Sequence, residues 1–160
     1  MSGALEIRRA KTGDEETILA LLYDLAVYEK LTERFKITRE IVARDYLSER
    51  PLIHCNLAFE EGRPVGIATW FWTYMSFSAC RSLFLEDLFV RPESRGRGHG
   101  MALLAHLAKI AREVGAGGIE WRVLEWNKPS IDFYERLGAE RIKVWHTYFL
   151  SGEALAKLAR

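Results

Sequence analysis

The chain of 160 residues has little cysteine and little net charge, and it contains no long apolar run. Its two cysteines, Cys55 and Cys80, are too few for a disulfide scaffold or a tetrahedral zinc site. The 23 basic residues nearly balance the 22 acidic ones, so the charge gives no reason to expect binding to nucleic acid or to an anionic membrane. Residues 1–9 lack the apolar core of a signal peptide, and no segment has the length of a membrane span. The composition therefore predicts a cytoplasmic protein with no metal, nucleic-acid or membrane partner.

Apolar residues make up 49% of the chain, which is enough for one sizeable core. No repeat or linker divides the sequence, so residues 1–160 are predicted to form a single domain. The apolar spacing predicts helices that begin near residues 14, 38, 101, 128 and 151, and strands at 5–8, 53–59, 65–74, 83–90, 119–124 and 141–149. This order predicts the mixed α/β (α+β) class.

The stretch from Leu83 to Ala111 has the pattern of a buried strand, a turn, a glycine-rich loop and a helix. The strand ends at Arg91-Pro92, because proline cannot donate to a β-ladder. Glycines at 96, 98 and 100 then lead directly into the apolar periodicity of the helix. A helix N-terminus approached through glycines presents uncrowded backbone N–H groups. This arrangement is suited to binding a pyrophosphate.

The spacing of the loop separates it from two common phosphate-binding loops. No Lys-Ser/Thr pair follows the glycines, as a Walker A loop requires, and Met101 stands where the dinucleotide fingerprint needs its last glycine. The pattern present is Arg-x-x-Gly-x-Gly, from Arg95 to Gly100. With this loop between a central strand and the main helix, the sequence resembles the GNAT superfamily of N-acetyltransferases, in which such a loop binds the pyrophosphate of acetyl-CoA.

A second motif narrows the resemblance to the diamine (spermidine/spermine) and thialysine N-acetyltransferase group. Residues 126–134 carry its pattern Trp-Asn-x-x-Ser-x-x-Phe-Tyr, and Leu85-Glu86-Asp87 and Ala26–Glu29 match the group as well. The resemblance covers nearly the whole chain. It implies a GNAT-like fold with a central mixed sheet flanked by helices, and a homodimer with residues 144–149 at the interface.

The resemblance also implies acetyl-CoA as cosubstrate and a small amine as acceptor. In GNAT proteins the pantetheine amides of the cofactor pair with the central strand like an added strand. The cofactor-binding residues implied here are Leu88, Phe89, Val90, Arg95, Gly96, Arg97, Gly98, Gly100, Asn127 and Ser130. The substrate-binding residues implied are Glu29, Glu86, Asp87 and Trp126. The variable loop residue His99 is expected to be exposed.

Acetyl transfer from a thioester to an amine requires a neutral nitrogen, but an alkylamine with a pKa of about 10 is mostly protonated at neutral pH. Glu86 is the candidate general base, acting through water, because burial in an apolar strand would raise its pKa. Alternation along the strand predicts that Asp87 points to the opposite face, as a structural or substrate-positioning acid. An alternative role for Glu86 is an ion pair with Arg or Lys at the sheet surface.

The thiolate leaving group also needs a proton, and Tyr134 is the candidate acid. Its pKa of about 10 is close to the value of about 8.5 for a thiol, so proton transfer between them is reasonable. Ser130 lies one helical turn earlier on the same face. The alternative is that Tyr134 only packs in its helix. A backbone N–H near Leu88 is the candidate oxyanion donor.

The segment from Met75 to Cys80 has no carboxylate, whereas polyamine-preferring members tend to carry an acid there. The sequence therefore looks more like the branch that acts on thialysine or related small amino acids. Two other functions stay open at this stage. One is acetylation of a protein lysine or N-terminus, and the other is a non-catalytic acetyl-CoA-binding module.

Overall fold

The computed structural model describes residues 4–160, which form two compact units that meet in sequence between Arg122 and Val123. The strands are β1 (Leu5–Arg9), β2 (His54–Glu60), β3 (Arg63–Met75), β4 (Cys80–Val90) and β5 (Ile119–Trp121). The helices are α1 (Glu15–Tyr28), α2 (Arg39–Asp45), α3 (His99–Glu113), α4 (Lys128–Arg136) and α5 (Gly152–Leu158). Short 3-10 turns occupy Thr32–Arg34 and Pro92–Ser94. Within the described residues, no helix combines the length and the apolar character needed to cross a membrane.

The first unit contains a five-stranded sheet in the order β1-β2-β3-β4-β5. The first four strands pair antiparallel, and β5 joins β4 in parallel after the α3 crossover. This confirms the predicted mixed sheet and the predicted fold class. The last strand is shorter than predicted, since it ends at Trp121 rather than Leu124.

Helices cover both faces of this sheet. The Asn56 side chain on β2 contacts His106 of α3, with 3.1 Å between Nδ2 and Nε2. Its neighbour Leu57 belongs instead to a core cluster with Leu21 of α1 and Val42 of α2. Because successive strand residues point to opposite faces, α3 lies on one face and α1 with α2 on the other. Leu21, Val42 and Leu57 are fully buried, and burial of each such side chain contributes about 1.5–3 kcal/mol.

The pairing of β3 with β4 has one irregularity, at Glu86. Trp70 lies opposite Leu85 and Thr69 lies opposite Asp87, so Glu86 has no partner in this ladder. The extra residue is a β-bulge, which breaks the alternation of side chains along β4. Leu85 lies opposite Trp70, whose side chain is on the α3 face of the sheet, whereas Asp87 lies opposite Thr69 on the α1 face. In an uninterrupted strand Asp87 would lie on the α3 face, together with Leu85. The bulge places it on the α1 face instead.

The hairpin from β2 to β3 turns through two residues, Glu61-Gly62. Both have positive φ, 51° and 75°, as a type I′ turn requires. Glu60 and Arg63 form the last register pair before the turn. The turn therefore closes the hairpin directly after Glu60, just beyond a register shift between Ala58 and Phe59.

The second unit contains α4 and α5 with an irregular segment between them. The predicted strand at 141–149 is wrong, because residues 139–150 form no ladder in the described chain. The β-forming side chains there are exposed instead, with Tyr148 and Phe149 each 90% accessible. A β-rich composition does not make a strand when the backbone has no pairing partner.

Candidate active site

The glycine-rich loop leads into α3 through backbone that only glycine adopts easily. Gly96 and Gly98 have φ of 76° and 82°, and Gly98 is the N-cap of the helix. Since no Cβ contact lies within 4 Å of either position, the requirement for glycine there is conformational rather than steric. Ala102 is the first residue whose N–H reaches back to the cap, so the preceding N–H groups of the first turn point out of the helix end. This geometry suits the predicted pyrophosphate site.

Arg95, the first residue of the loop motif, folds back onto the end of β4. Its Nε donates to the Val90 carbonyl at 2.9 Å, and its guanidinium lies 4.6 Å from the ring centre of Tyr28 and 5.7 Å from that of Phe89. These contacts hold the start of the loop against α1 and the strand. A direct contact from Arg95 to the cofactor phosphates stays a prediction.

Arg97 and His99 both face Glu60 at the end of β2. Arg97 Nη1 donates to both carboxylate oxygens, at 2.9 and 2.8 Å. The expectation that His99 is exposed is wrong, because its side chain is only 5% accessible and its Nε2 lies 3.4 Å from Glu60 Oε1. No local pattern signals this contact, since Glu60 and His99 are 39 positions apart in the sequence and meet only through the sheet.

The edge of β4 is open where the cofactor was predicted to pair. The β5 ladder covers only Leu83–Leu85, and no register pair of the described residues extends it beyond Leu85. The following edge includes the predicted cofactor-binding residues Leu88, Phe89 and Val90. An unpaired strand edge is a template for an added strand, as the pantetheine prediction requires.

Glu86 does not have the buried environment that the sequence suggested. Its side chain is 42% exposed, and Oε2 lies 3.7 Å from Nη2 of Arg122 at the end of β5. The expectation of a buried Glu86 is therefore wrong, because the bulge turns the residue out of the packed strand. An ion pair at the sheet surface was the alternative considered for Glu86, although its exposure also leaves it open to water. Its role as general base stays a prediction.

Asp87 is the neighbouring carboxylate, and its environment raises its pKa. Burial raises the pKa of Asp87 to about 6, against the opposing effect of a hydrogen bond from the Thr69 hydroxyl. The charges of Glu86 and Glu29 raise it further. Glu29 itself has a pKa raised by burial. The end of α1 therefore lies near Asp87, and a substrate contact from Glu29 stays a prediction.

Tyr46, just after α2, also lies near Asp87. Burial raises the pKa of its hydroxyl, and the charge of Asp87 adds to the effect. Sequence reasoning missed Tyr46 and Thr69 as parts of this site. Neither a tyrosine nor a threonine at these positions indicates a role in a site. They are close to Asp87 because the bulge places Asp87 on the α1 face of the sheet.

The raised pKa of Asp87 predicts that Asp87→Asn stabilises the fold above pH 6. The folded state keeps this carboxyl protonated up to about pH 6, whereas the unfolded chain releases the proton near pH 4. Stability therefore falls as the pH rises through this interval, and the loss is complete above it. We expect Asp87→Asn to raise the free energy of unfolding at pH 7.5 by about 1–2 kcal/mol, allowing for partial exposure. Urea unfolding at pH 7.5 and pH 4 measures this, and an equal change at both pH values would contradict it.

In the second unit, α4 orders the predicted tail motif. Asn127 caps the helix, since its Oδ1 accepts the Ser130 N–H at 3.4 Å. Ser130 and Tyr134 lie one turn apart on the same face, and the Tyr134 ring is 5.4 Å from that of Phe133. Trp126 is 52% exposed. Local capping thus brings two predicted hydroxyl groups to one face of a short helix.

Comparison with known proteins agrees with this geometry. A model of the Acetyltransferase (GNAT) family matches residues 18–139. The thialysine N-epsilon-acetyltransferase of Bos taurus is 37% identical over 164 residues, 96% of each chain. The L-ornithine N5-acetyltransferase of Arabidopsis thaliana is 28% identical over 194 residues, 93% of this chain and 85% of that protein. The solved structure of an integron cassette protein from V. cholerae has a TM-score of 0.82 at 26% identity, over 100% of this chain and 99% of the other.

These matches define the class as acyltransferases that act on amines. More narrowly, the chain belongs to the GNAT family of N-acetyltransferases, whose members use acetyl-CoA as cosubstrate. The predicted family, fold and enzyme class are thereby confirmed.

Proposed function

We propose that this enzyme transfers the acetyl group of acetyl-CoA to a primary amine of a small diamine, polyamine or thialysine-like diamino acid. The observation that carries the proposal is the pair of carboxylates, Asp87 and Glu29, whose pKa values are raised by burial beside the open edge of β4. Partly buried negative charges are costly, and a cationic ligand would lower that cost. A substrate with two amino groups can be acetylated at one while the other stays charged.

The relatives support a diamino acid as the acceptor. One acts on thialysine and another on ornithine, and both of these amino acids carry a side-chain amine besides the α-amino group. The segment Met75–Cys80 brings no acid to extend a polyamine site. Thialysine-like compounds are therefore our first choice, ahead of spermidine.

The proposed reaction is direct attack in a ternary complex. Glu86 removes a proton from the ammonium through water, and the neutral nitrogen attacks the thioester carbonyl carbon. A backbone N–H near Leu88 stabilises the oxyanion, the C–S bond breaks, and Tyr134 protonates the departing thiolate. The nitrogen gives up its second proton as the amide forms, and this proton restores the Tyr134 hydroxyl through water. Asp87, Glu29 and Trp126 hold the substrate, since carboxylates and an aromatic face both attract cations.

For the cofactor, we propose that Leu88, Phe89 and Val90 pair with the pantetheine amides while the glycines at 96, 98 and 100 receive the pyrophosphate. Arg95 and Arg97 are the proposed positive groups of this loop, and Asn127 and Ser130 the proposed contacts near the thiol. We also propose one catalytic domain in a cytoplasmic homodimer. The exposed apolar segment around Val144 to Phe149 supports an interface there, because large apolar patches mark contact surfaces.

The test is CoA release from acetyl-CoA with thialysine, ornithine, lysine, spermidine, putrescine and a lysine peptide as acceptors. We expect a free diamino acid to have the highest kcat/KM, because its second amine meets the carboxylates and relatives act on thialysine and ornithine. The matched control is the same diamino acid with its α-amine acetylated, because this compound keeps the side-chain amine and lacks the second positive charge. Faster turnover of the peptide would favour a protein acetyltransferase. Acetyl-CoA binding without turnover of any acceptor would favour the non-catalytic module.

A further inference from the structure

The glycine-rich loop is tied to the β2–β3 hairpin through a single carboxylate. Glu60 lies at the end of β2 with its side chain only 5% exposed, and both of its oxygens accept from Arg97 Nη1. His99 approaches the same carboxylate from the first turn of α3, at 3.4 Å. Neither ring nitrogen of His99 makes a hydrogen bond, although the ring is buried. Glu60 is therefore the polar group that faces both side chains.

A carboxylate behind an anion-binding loop is unfavourable for anion binding taken alone. At a few ångströms its charge opposes a pyrophosphate, and its bond to Arg97 engages the loop cation that would otherwise face the ligand. The pKa of Glu60 is lowered by Arg97 and also by His99, so the carboxylate is charged at neutral pH. Since the charge of Glu60 opposes anion binding, we infer that Glu60 assists it by holding the glycine-rich loop in position.

The loop needs such an anchor because of its composition. Glycines alternate with Arg97 and His99, so these two residues provide the only side chains between Gly96 and Gly100. Glycine has more conformational freedom to lose than any other residue, and an unanchored loop would lose it when the ligand binds. Glu60 is a suitable point of attachment, because it pairs with Arg63 directly before the two-residue turn and its side chain is only 5% exposed.

We propose that Glu60 is a positioning residue for acetyl-CoA: through Arg97 and His99 it holds the glycine loop in its binding geometry before the cofactor arrives. Arg97 then acts mainly by anchoring the loop to Glu60, and its contact with phosphate is secondary. A loop that is already ordered binds the cofactor more tightly, because no further conformational entropy has to be lost on binding. The inference rests on the proposed use of acetyl-CoA by this site.

The direction of one mutational effect separates this role from direct phosphate binding by Arg97. If Glu60 positions the loop, Glu60→Gln weakens CoA binding by about tenfold, the lower end of what a hydrogen bond to a charged group contributes. The KM for acetyl-CoA rises, while kcat and the KM for the amine stay unchanged. If Arg97 binds phosphate directly, Glu60→Gln frees it and removes an opposing charge, so binding becomes tighter.

The measurement is calorimetric titration of CoA, with steady-state kinetics beside it. Arg97→Gln and the double variant complete a mutant cycle, and we expect the double variant to bind no more weakly than either single one. Glu61→Gln is the matched control, because Glu61 pairs with Arg63 at 3.6 Å on the same hairpin but is exposed. Unchanged or tighter binding by Glu60→Gln, or additive losses in the double variant, would overturn the proposal. Failure of the wild-type protein to bind CoA would instead refute the proposed function.

Discussion

Replacement of Tyr134 by Phe is expected to lower kcat by about 10²-fold or more, while the KM for acetyl-CoA stays unchanged. The hydroxyl is the proposed proton donor to the thiolate, and a positioned acid contributes about 10²–10⁴-fold to such a step. Phenylalanine keeps the ring and its contact with Phe133, so helix α4 should keep its packing. Stopped-flow or steady-state measurement of CoA release with a saturating diamino acid gives kcat directly.

Tyr74→Phe is the control for the same chemical change, because Tyr74 is 66% exposed near the end of β3. It should leave kcat unaltered. A thiolate leaves more easily as the pH falls, so the loss in Tyr134→Phe should shrink at low pH. If Tyr134→Phe retains more than about a third of wild-type kcat, Tyr134 has only the packing role that was its alternative.

Glu86→Gln is the second change with a large expected effect, a loss of about 10²-fold in kcat at pH 7. The amide keeps the size of the side chain and cannot accept a proton from the ammonium or its water. Because Glu86 lies at a bulge and is 42% exposed, this substitution should leave the fold intact. The control is Glu120→Gln, an exposed carboxylate on the neighbouring strand β5.

Asp87 is the rival base, and the effects of Glu86→Gln and Asp87→Asn on kcat and KM distinguish the two residues. With a pKa of about 6, the Asp87 carboxylate is lost below neutral pH, so kcat/KM for the amine should fall below pH 6. If Asp87 only binds the substrate, Asp87→Asn raises the KM of the amine and spares kcat. A normal kcat in Glu86→Gln together with a 10²-fold loss of kcat in Asp87→Asn would move the base to Asp87.

Local signals in the sequence were sufficient for much of the fold. The helices and the four antiparallel strands follow from apolar periodicity, and the Glu61-Gly62 turn follows from its residue types. The loop at Gly96–Gly100 was recognised because each of its requirements is local: a strand end, positive φ and a helix start. These features do not depend on distant parts of the chain.

The environment of the carboxylates could not be predicted in the same way. Whether Glu86 or Asp87 is buried depends on a single unpaired residue in the ladder with β3. A bulge of this kind cannot be predicted from the residue types alone. The burial of His99 depends on Glu60, which reaches it only after the sheet has formed. The strand predicted at 141–149 failed for a related reason, because β propensity describes side chains and not the presence of a pairing partner.

The bulge in β4 also constrains how this active site can change in evolution. Point substitutions can alter the charge at Glu86 or Asp87, but they leave each residue on its present side of the sheet. Only the gain or loss of one residue would reverse which side Asp87 faces, and it would reverse Leu88–Val90 at the same time. The position of Asp87 near the proposed substrate site and the position of the strand edge proposed for the cofactor are thus coupled. An insertion or deletion in this part of β4 would change both at once.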